Sequence, residues 1–172
     1  VHALADERVA FPGRFQPLHR GHYRVVRAYR ELAGSFVLAL GSPEEARTAE
    51  NPLSAAERER IVRGCFPDLE IVRVPDVGRG EAGYPLWGRR LVARTDADVV
   101  LTGNPRVQRI VREYTDARVR EQEMHYPDRF SGTELRERIR ADESWRPLVP
   151  ACARERVADY AGVIARTGDA GE

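Results

Sequence analysis

Apolar and polar positions along this chain switch repeatedly between a strand pattern and a helix pattern. Val9 to Phe11 is a short apolar run, and from Tyr23 onward Val25, Val26, Tyr29, Leu32 and Ala33 recur at helical spacing. Residues 9 to 22 therefore predict a buried strand, a tight loop and a helix start. Ser35 to Leu40 is nearly continuous in apolar residues, as a parallel strand covered on both faces would be. Ser54-Ala55-Ala56-Glu57 is a capping-box pattern opening a helix whose stripe is Ile61, Val62, Cys65 and Phe66, with Arg58 and Arg60 expected on solvated faces. Leu69 to Val74 alternates apolar and charged residues, predicting a third strand with one partly exposed face. Asp76 to Pro85 carries three glycines and is expected to be a mobile loop before a short helix over Leu86 to Ala93.

The second half repeats the rhythm. Asp98 to Thr102 predicts a fourth strand, and Asn104-Pro105 a helix cap with a first-turn proline, continued by Val107, Ile110, Val111 and Tyr114. Arg118 to Glu121 suggests a short edge strand. Ser131-Gly132-Thr133-Glu134 is another capping-box pattern, leading a helix to Arg140, and a last helix runs from Ala151 to Ala165 with Val157, Tyr160, Ala161 and Ile164 on one face. Strand and helix in alternation predict an α/β fold: a doubly wound parallel sheet with C-terminal helices, in one domain over residues 1–172.

Composition narrows the chemistry. The chain has 172 residues, 42% apolar and 32% charged, with a net charge of +1, so no broad basic surface for nucleic acid or membrane is implied. Neither an apolar run of about 18 residues nor a signal-peptide pattern occurs, and a cytoplasmic protein is expected. Cys65 and Cys152 stand apart without a C-x-x-C spacing and are expected to be buried thiols, not a disulfide or metal pair; no protein-bound metal site is expected. Every basic residue is Arg, so a P-loop lysine, a Schiff-base lysine and a lysine nucleophile are excluded.

The loop between the first strand and helix reads as a phosphate site. A helix beginning near Gly21 turns unpaired N–H groups and the positive end of its dipole toward the loop. Gly13 and Gly21 allow close backbone approach, Pro12 and Pro17 stiffen the segment, and Arg14 can fork onto phosphate oxygens. His19 and His22, three apart, can face one side and donate to oxygens that gain charge during nucleotidyl transfer. Near the other end, Ser131 or Thr133 either only caps its helix or, with the open amides and Arg136, holds phosphate.

Gly13-Arg14-Phe15-Gln16-Pro17-Leu18-His19-Arg20-Gly21-His22 resembles the H-x-G-H nucleotidyltransferase superfamily, in its archaeal-type nicotinamide-mononucleotide adenylyltransferase branch, whose fold is Rossmann-like. Phe130-Ser131-Gly132-Thr133-Glu134-Leu135-Arg136 resembles that branch's late triphosphate-gripping element. Gly41-Ser42, Glu50-Asn51-Pro52, Ala55 to Arg58, Leu86-Trp87, Gly103-Asn104-Pro105 with Val107, and Trp145 to Pro150 are similar in the same order. The resemblance implies attack of a mononucleotide phosphate on the α-phosphorus of ATP, releasing pyrophosphate, with Mg²⁺ assisting. It makes His19, His22, Arg14 and Arg136 the catalytic set and puts Gly13, Phe15, Gln16, Gly21, Asn104, Ser131, Gly132 and Thr133 around the nucleotide. Trp87, with Tyr84 and Ser42, would form the acceptor pocket, the indole stacking on the nicotinamide ring. A homo-oligomer is implied, the hexamer being a family precedent.

The departures cluster at the acceptor. Tyr84 stands where the family commonly has Asn, and Pro43-Glu44 where it commonly has Ala-Gln. These changes motivate a second reading, a sibling enzyme coupling ATP or CTP to another phosphate or phosphonate. A third reading is a non-catalytic sensor of adenine nucleotide.

Overall fold

Five parallel strands carry the described part of the chain, residues 4–122 and 131–168 of a computed structural model. They are β1 (Arg8–Gly13), β2 (Ser35–Gly41), β3 (Glu70–Val74), β4 (Val99–Leu101) and β5 (Arg118–Arg120), in the order β3-β2-β1-β4-β5. Every pairing is parallel, with Val9 beside both Phe36 and Val99. The order reverses at β1 and β4, the switch point at which open α/β sheets bind ligands beyond the carboxyl ends of their strands. The doubly wound sheet expected from the alternation is thus present. Edge strands β3 and β5 keep exposed positions, whereas Phe36 to Leu40 of β2 are all buried.

The helices are α1 (Arg20–Leu32), α2 (Ala55–Cys65), α3 (Tyr84–Thr95), α4 (Pro105–Tyr114), α5 (Gly132–Arg140) and α6 (Ala151–Gly168). Helix α3 starts earlier than the apolar spacing suggests, because Pro85 sits in its first turn, where a missing N–H removes no helical bond. The glycine-rich segment before it winds into a 3-10 turn at Gly80–Gly83. Strand β5 ends at Arg120, one residue short of expectation. Phe130, part of the late motif, lies outside the described residues.

The described residues divide into two compact units, the boundary passing through α1. The first draws on Val1–Gly13, Val25–Ser42 and Leu69–Met124 and contains the whole sheet with α3 and α4. Ala39, Val74, Leu91, Val100 and Val111 form its core, each valine or leucine side chain contributing about 1.5–3 kcal/mol by leaving water. Gly88 lets α3 lie on α4, since a Cβ there would stand 2.5 Å from Ile110 Cγ2.

The second unit draws on Arg14–Arg24, Pro43–Asp68 and His125–Glu172. Here α6 packs against α2 and α5. Two expectations are corrected in it. Cys65 and Cys152 are not thiols; they form a disulfide between the end of α2 and the first turn of α6, with Cα atoms 5.0 Å apart. Their separation of 87 residues follows no local spacing, and helix packing alone makes them neighbours: a Cβ on Gly64 would meet the Cys152 carbonyl at 2.8 Å. Arg58 is not solvated but fully buried, while Arg60 is exposed and pairs with Asp159.

Closing a loop of this length should stabilise the fold by about 2–4 kcal/mol. Replacing both cysteines by alanine should lower the urea midpoint accordingly, and a thiol reductant should move the wild-type midpoint the same way and leave the variant unmoved.

Candidate active site

The loop following β1 is built in the second unit, around the backbone of Arg14 to His19. Three long-range hydrogen bonds fix its course. The Gln16 amide brackets Leu53, its Nε2 donating to the Leu53 carbonyl and its Oε1 accepting from the Leu53 N–H, both at 2.9 Å. Arg58 Nη1 donates to the Arg14 carbonyl at 2.9 Å, and Arg136 Nη1 to the Gln16 carbonyl at 3.0 Å. Phe15 lies between with a φ of 53°, its ring buried and 4.6 Å from that of His22. Phe15 and Gln16, which the resemblance puts beside the nucleotide, thus turn their side chains to the protein interior and fix the course of the loop.

The two imidazoles are stacked, with centroids 3.7 Å apart. Each uses Nδ1 as an acceptor: His19 Nδ1 receives the N–H groups of Gly21 at 3.0 Å and His22 at 3.4 Å, and His22 Nδ1 receives that of His19 at 3.2 Å. A neutral imidazole that accepts at Nδ1 carries its proton on Nε2. Burial lowers the His19 pKa from 6.5 to about 4, with the Arg136 charge adding to the effect. Burial, and then the neighbouring His19, hold His22 well below its ordinary value. At neutral pH both side chains are therefore uncharged Nε2–H donors in fixed orientation.

Positive charge surrounds them. Arg136 is buried, and desolvation together with Arg14 and Arg140 lowers its pKa. The Nε atoms of Arg136 and Arg20 are buried without a hydrogen-bond partner among the described residues. Gly132 makes room for the guanidinium, since a Cβ there would come within 2.9 Å of Arg136 Nη1. Ser131 Oγ caps α5 by accepting the Glu134 N–H at 3.1 Å, and Thr133 Oγ1 lies 3.5 Å from Arg136 Nη2. Arg14 is half-exposed, with Nη1 3.5 Å from Asn51 Oδ1 and 3.9 Å from Glu50. His19, His22, Arg14, Arg136, Gly21, Gly132 and Thr133 are thus collected within one unit, at the N-terminal ends of α1 and α5, where backbone amides favour an anion. Gly13 closes β1 immediately before them.

The acceptor candidates belong to the first unit. Trp87 packs against the core beside Leu91 and also lines a cavity of about 290 Å³ with Tyr84, Asp76, Arg106, Val107 and Ile110. Ser42 acts at one remove, its Oγ donating to Asp76 Oδ2 at 2.7 Å. Asn104, which the resemblance puts with the nucleotide, also belongs to this unit and not to that of Gly21 and Thr133, its Oδ1 capping α4 by accepting the Arg106 N–H at 2.9 Å.

A resident divalent ion does not fit these side chains. No group of three His, Cys, Asp or Glu among the described residues could hold one, and the histidine lone pairs at Nδ1 already accept backbone protons.

Two contributors escaped the reading of the sequence. Arg58 falls on the same face as Ile61, Val62 and Cys65, and a lone charge inside an apolar stripe was the available signal. Arg106, between two helix-starting residues, gave none.

A family model described as cytidylyltransferase-like matches residues 10–138. This chain belongs to that family. Among similar proteins, the nicotinamide-nucleotide adenylyltransferase of Methanosarcina mazei is 34% identical over 161 residues, 91% of this chain and 90% of the relative. The protein of the same name from Pyrobaculum neutrophilum is 34% identical over 173 residues, covering 95% and 97%. A solved structure from Francisella tularensis, a bifunctional NMN adenylyltransferase/ADP ribose pyrophosphatase complexed with AMP and a Mn ion, superimposes with a TM-score of 0.71 at 14% identity. It covers 95% of this chain but 52% of that one, and at such identity it speaks for the fold. No helix among the described residues is long and apolar enough to cross a membrane.

The buried histidines give this cytidylyltransferase-like protein a pH signature. Unfolded, His19 takes up a proton near pH 6.5; folded, it stays neutral to about pH 4. The unfolded state binds more protons across that window, so stability falls as the pH is lowered through it. The urea midpoint should be lower at pH 5 than at pH 7, and the gap should shrink in a His19→Asn, His22→Asn double variant.

Proposed function

We propose that the protein is a nicotinamide-nucleotide adenylyltransferase, joining ATP and nicotinamide mononucleotide into NAD and pyrophosphate. The observation that carries this reading is the pair of imidazoles held as neutral Nε2–H donors beside the buried guanidinium of Arg136. The names of the archaeal relatives, matched over nearly the full length of both chains, supply the substrates.

In this reaction a phosphate oxygen of the mononucleotide attacks the α-phosphorus of ATP. A new P–O bond forms while the bond to the bridging oxygen breaks, and its electron pair leaves with pyrophosphate. No covalent enzyme intermediate is needed, in keeping with a chain that lacks lysine and whose two cysteines are joined. Negative charge builds on the transferring and leaving oxygens, where preorganised donors lower the barrier most. His19 and His22 donate through Nε2, Arg136 and Arg14 supply fixed positive charge, and the first-turn amides of α1 and α5 complete the cradle. The Arg136 Nε, without a hydrogen-bond partner among the described residues, is suited to a phosphate oxygen. Magnesium enters as part of the MgATP substrate. Trp87 offers an aromatic face for the acceptor ring. We place this work in the cytoplasm, in a single nucleotidyltransferase domain that assembles as a homo-oligomer; the exposed Leu32 and Leu86 support assembly.

Incubation of the protein with MgATP and the mononucleotide should yield NAD and equimolar pyrophosphate, and absence of dinucleotide across metals and pH would refute the substrate assignment. His22→Ala should lower turnover by ~10²–10³ while ATP binding persists, which separates an enzyme from a nucleotide sensor. Gly132→Ala, which pushes a methyl group toward the Arg136 guanidinium, should raise KM for ATP several-fold more than KM for the mononucleotide.

A further inference from the structure

The two guanidinium groups that hold the loop after β1 sit on helices joined through a disulfide. Arg58 and Cys65 are seven positions apart on α2, two turns, so they share one face and lie about 10 Å from each other along the axis. Toward one end of that face Arg58 Nη1 donates to the Arg14 carbonyl, and at the other Cys65 is bonded to Cys152 in the first turn of α6. Helix α6 in turn packs on α5, where Arg140 Nε donates to the Ile164 carbonyl at 3.3 Å, and α5 carries Arg136 to the Gln16 carbonyl. Loop, α2, α6 and α5 thus form a closed circuit within the second unit, and the disulfide is the covalent link in it.

The bond is placed to change state without dismantling the unit. Cys152 is exposed and Cys65 half-buried, so a dissolved dithiol reaches the sulfurs. Other contacts join the same two helices: Arg60 pairs with Asp159 at 3.1 Å, and Arg156 Nη1 donates to the Arg60 carbonyl at 2.5 Å. They keep α6 beside α2 when the bond is open. The backbones nevertheless lie close at the bond, where a Cβ on Gly64 would meet the Cys152 carbonyl at 2.8 Å, and two thiol groups need more room than one disulfide. Opening the bond therefore displaces the end of α2, and a packed helix passes that displacement along its length toward Arg58. In the cytoplasm, where the reading above places the protein, disulfides are for the most part transient or redox-sensing.

We infer that Cys65 and Cys152 form a redox switch on nucleotide affinity: the disulfide form holds the loop in place for the triphosphate, and the dithiol form binds it more weakly. This rests on the reading of that loop as part of the ATP site. A dithiol reductant supplies the electrons. Its thiolate attacks Cys152 Sγ, the S–S bond breaks, and Cys65 leaves as a thiolate that takes up a proton; the second thiol of the reductant then displaces Cys152, which is protonated in turn, and the reductant departs as its own disulfide. Two electrons and two protons pass to the protein. By linkage, bound nucleotide favours the disulfide by the same factor by which the disulfide tightens the nucleotide.

The test compares the oxidised and the dithiothreitol-reduced protein well below the unfolding midpoint. Calorimetric titration with MgATP should give a Kd about three- to tenfold higher for the reduced form, the scale of one lost loop hydrogen bond. The Cys65→Ala, Cys152→Ala variant should match the reduced protein with or without reductant. In a dithiothreitol redox buffer, saturating MgATP should raise the fraction of disulfide, read by maleimide labelling of the thiols. In the NAD assay, reduction should raise KM for ATP more than KM for the mononucleotide, whereas loss of folded protein lowers kcat alone. An equal Kd in the two forms, a redox balance indifferent to MgATP, or loss of helical circular dichroism on reduction would each overturn the inference. NAD formation with an unchanged Kd overturns it alone; redox-dependent MgATP binding without any dinucleotide overturns the adenylyltransferase reading alone; absence of MgATP binding in both forms overturns the two together.

Discussion

The cradle depends on two buried guanidinium groups that hold a loop by its carbonyl oxygens. Arg58 from α2 takes the carbonyl of Arg14, and Arg136 from α5 takes that of Gln16, while the Gln16 side chain clamps Leu53. Burying a cation is costly unless hydrogen bonds replace its water, and backbone carbonyls supply such bonds here. The loop is therefore fixed. Phe15 can hold its left-handed backbone conformation because its neighbours on both sides are tied down.

Burial is the first reason the histidines are neutral, with the Arg136 charge adding to it at His19 and His19 adding to it at His22. The backbone N–H groups bonded to both Nδ1 atoms favour the Nε2–H tautomer. A neutral donor in a positive field suits the leaving group of nucleotidyl transfer. In the proposed reaction it would stabilise developing charge without giving up a proton, and a polyanion would relieve the crowding of Arg136 by Arg14 and Arg140.

The acceptor side follows a different logic. Trp87 is both a core residue and a cavity wall, because it packs against the cluster that holds Leu91 and Val111 and also lines the cavity. Rigid packing behind an aromatic surface keeps it in place for stacking.

Much of this was legible from residue order. Apolar runs at Val9 to Phe11 and Ser35 to Leu40, and caps at Ser54, Asn104 and Ser131, located strands and helices because those signals act over a few residues. The loop of the proposed phosphate site was placed for the same reason: Gly13 to His22 is one contiguous stretch in which strand end, turn and helix start are local. What only the tertiary structure decided are the partnerships made across long separations. Cys65 meets Cys152, Arg58 is drawn inside, Gln16 brackets Leu53, and Arg106 leans on Tyr84, none of them within one helical turn of its partner. Local spacing encodes which elements form; which side chains meet depends on how helices settle on one another, and a charge or thiol moves from solvent to interior by packing that no short window of sequence contains.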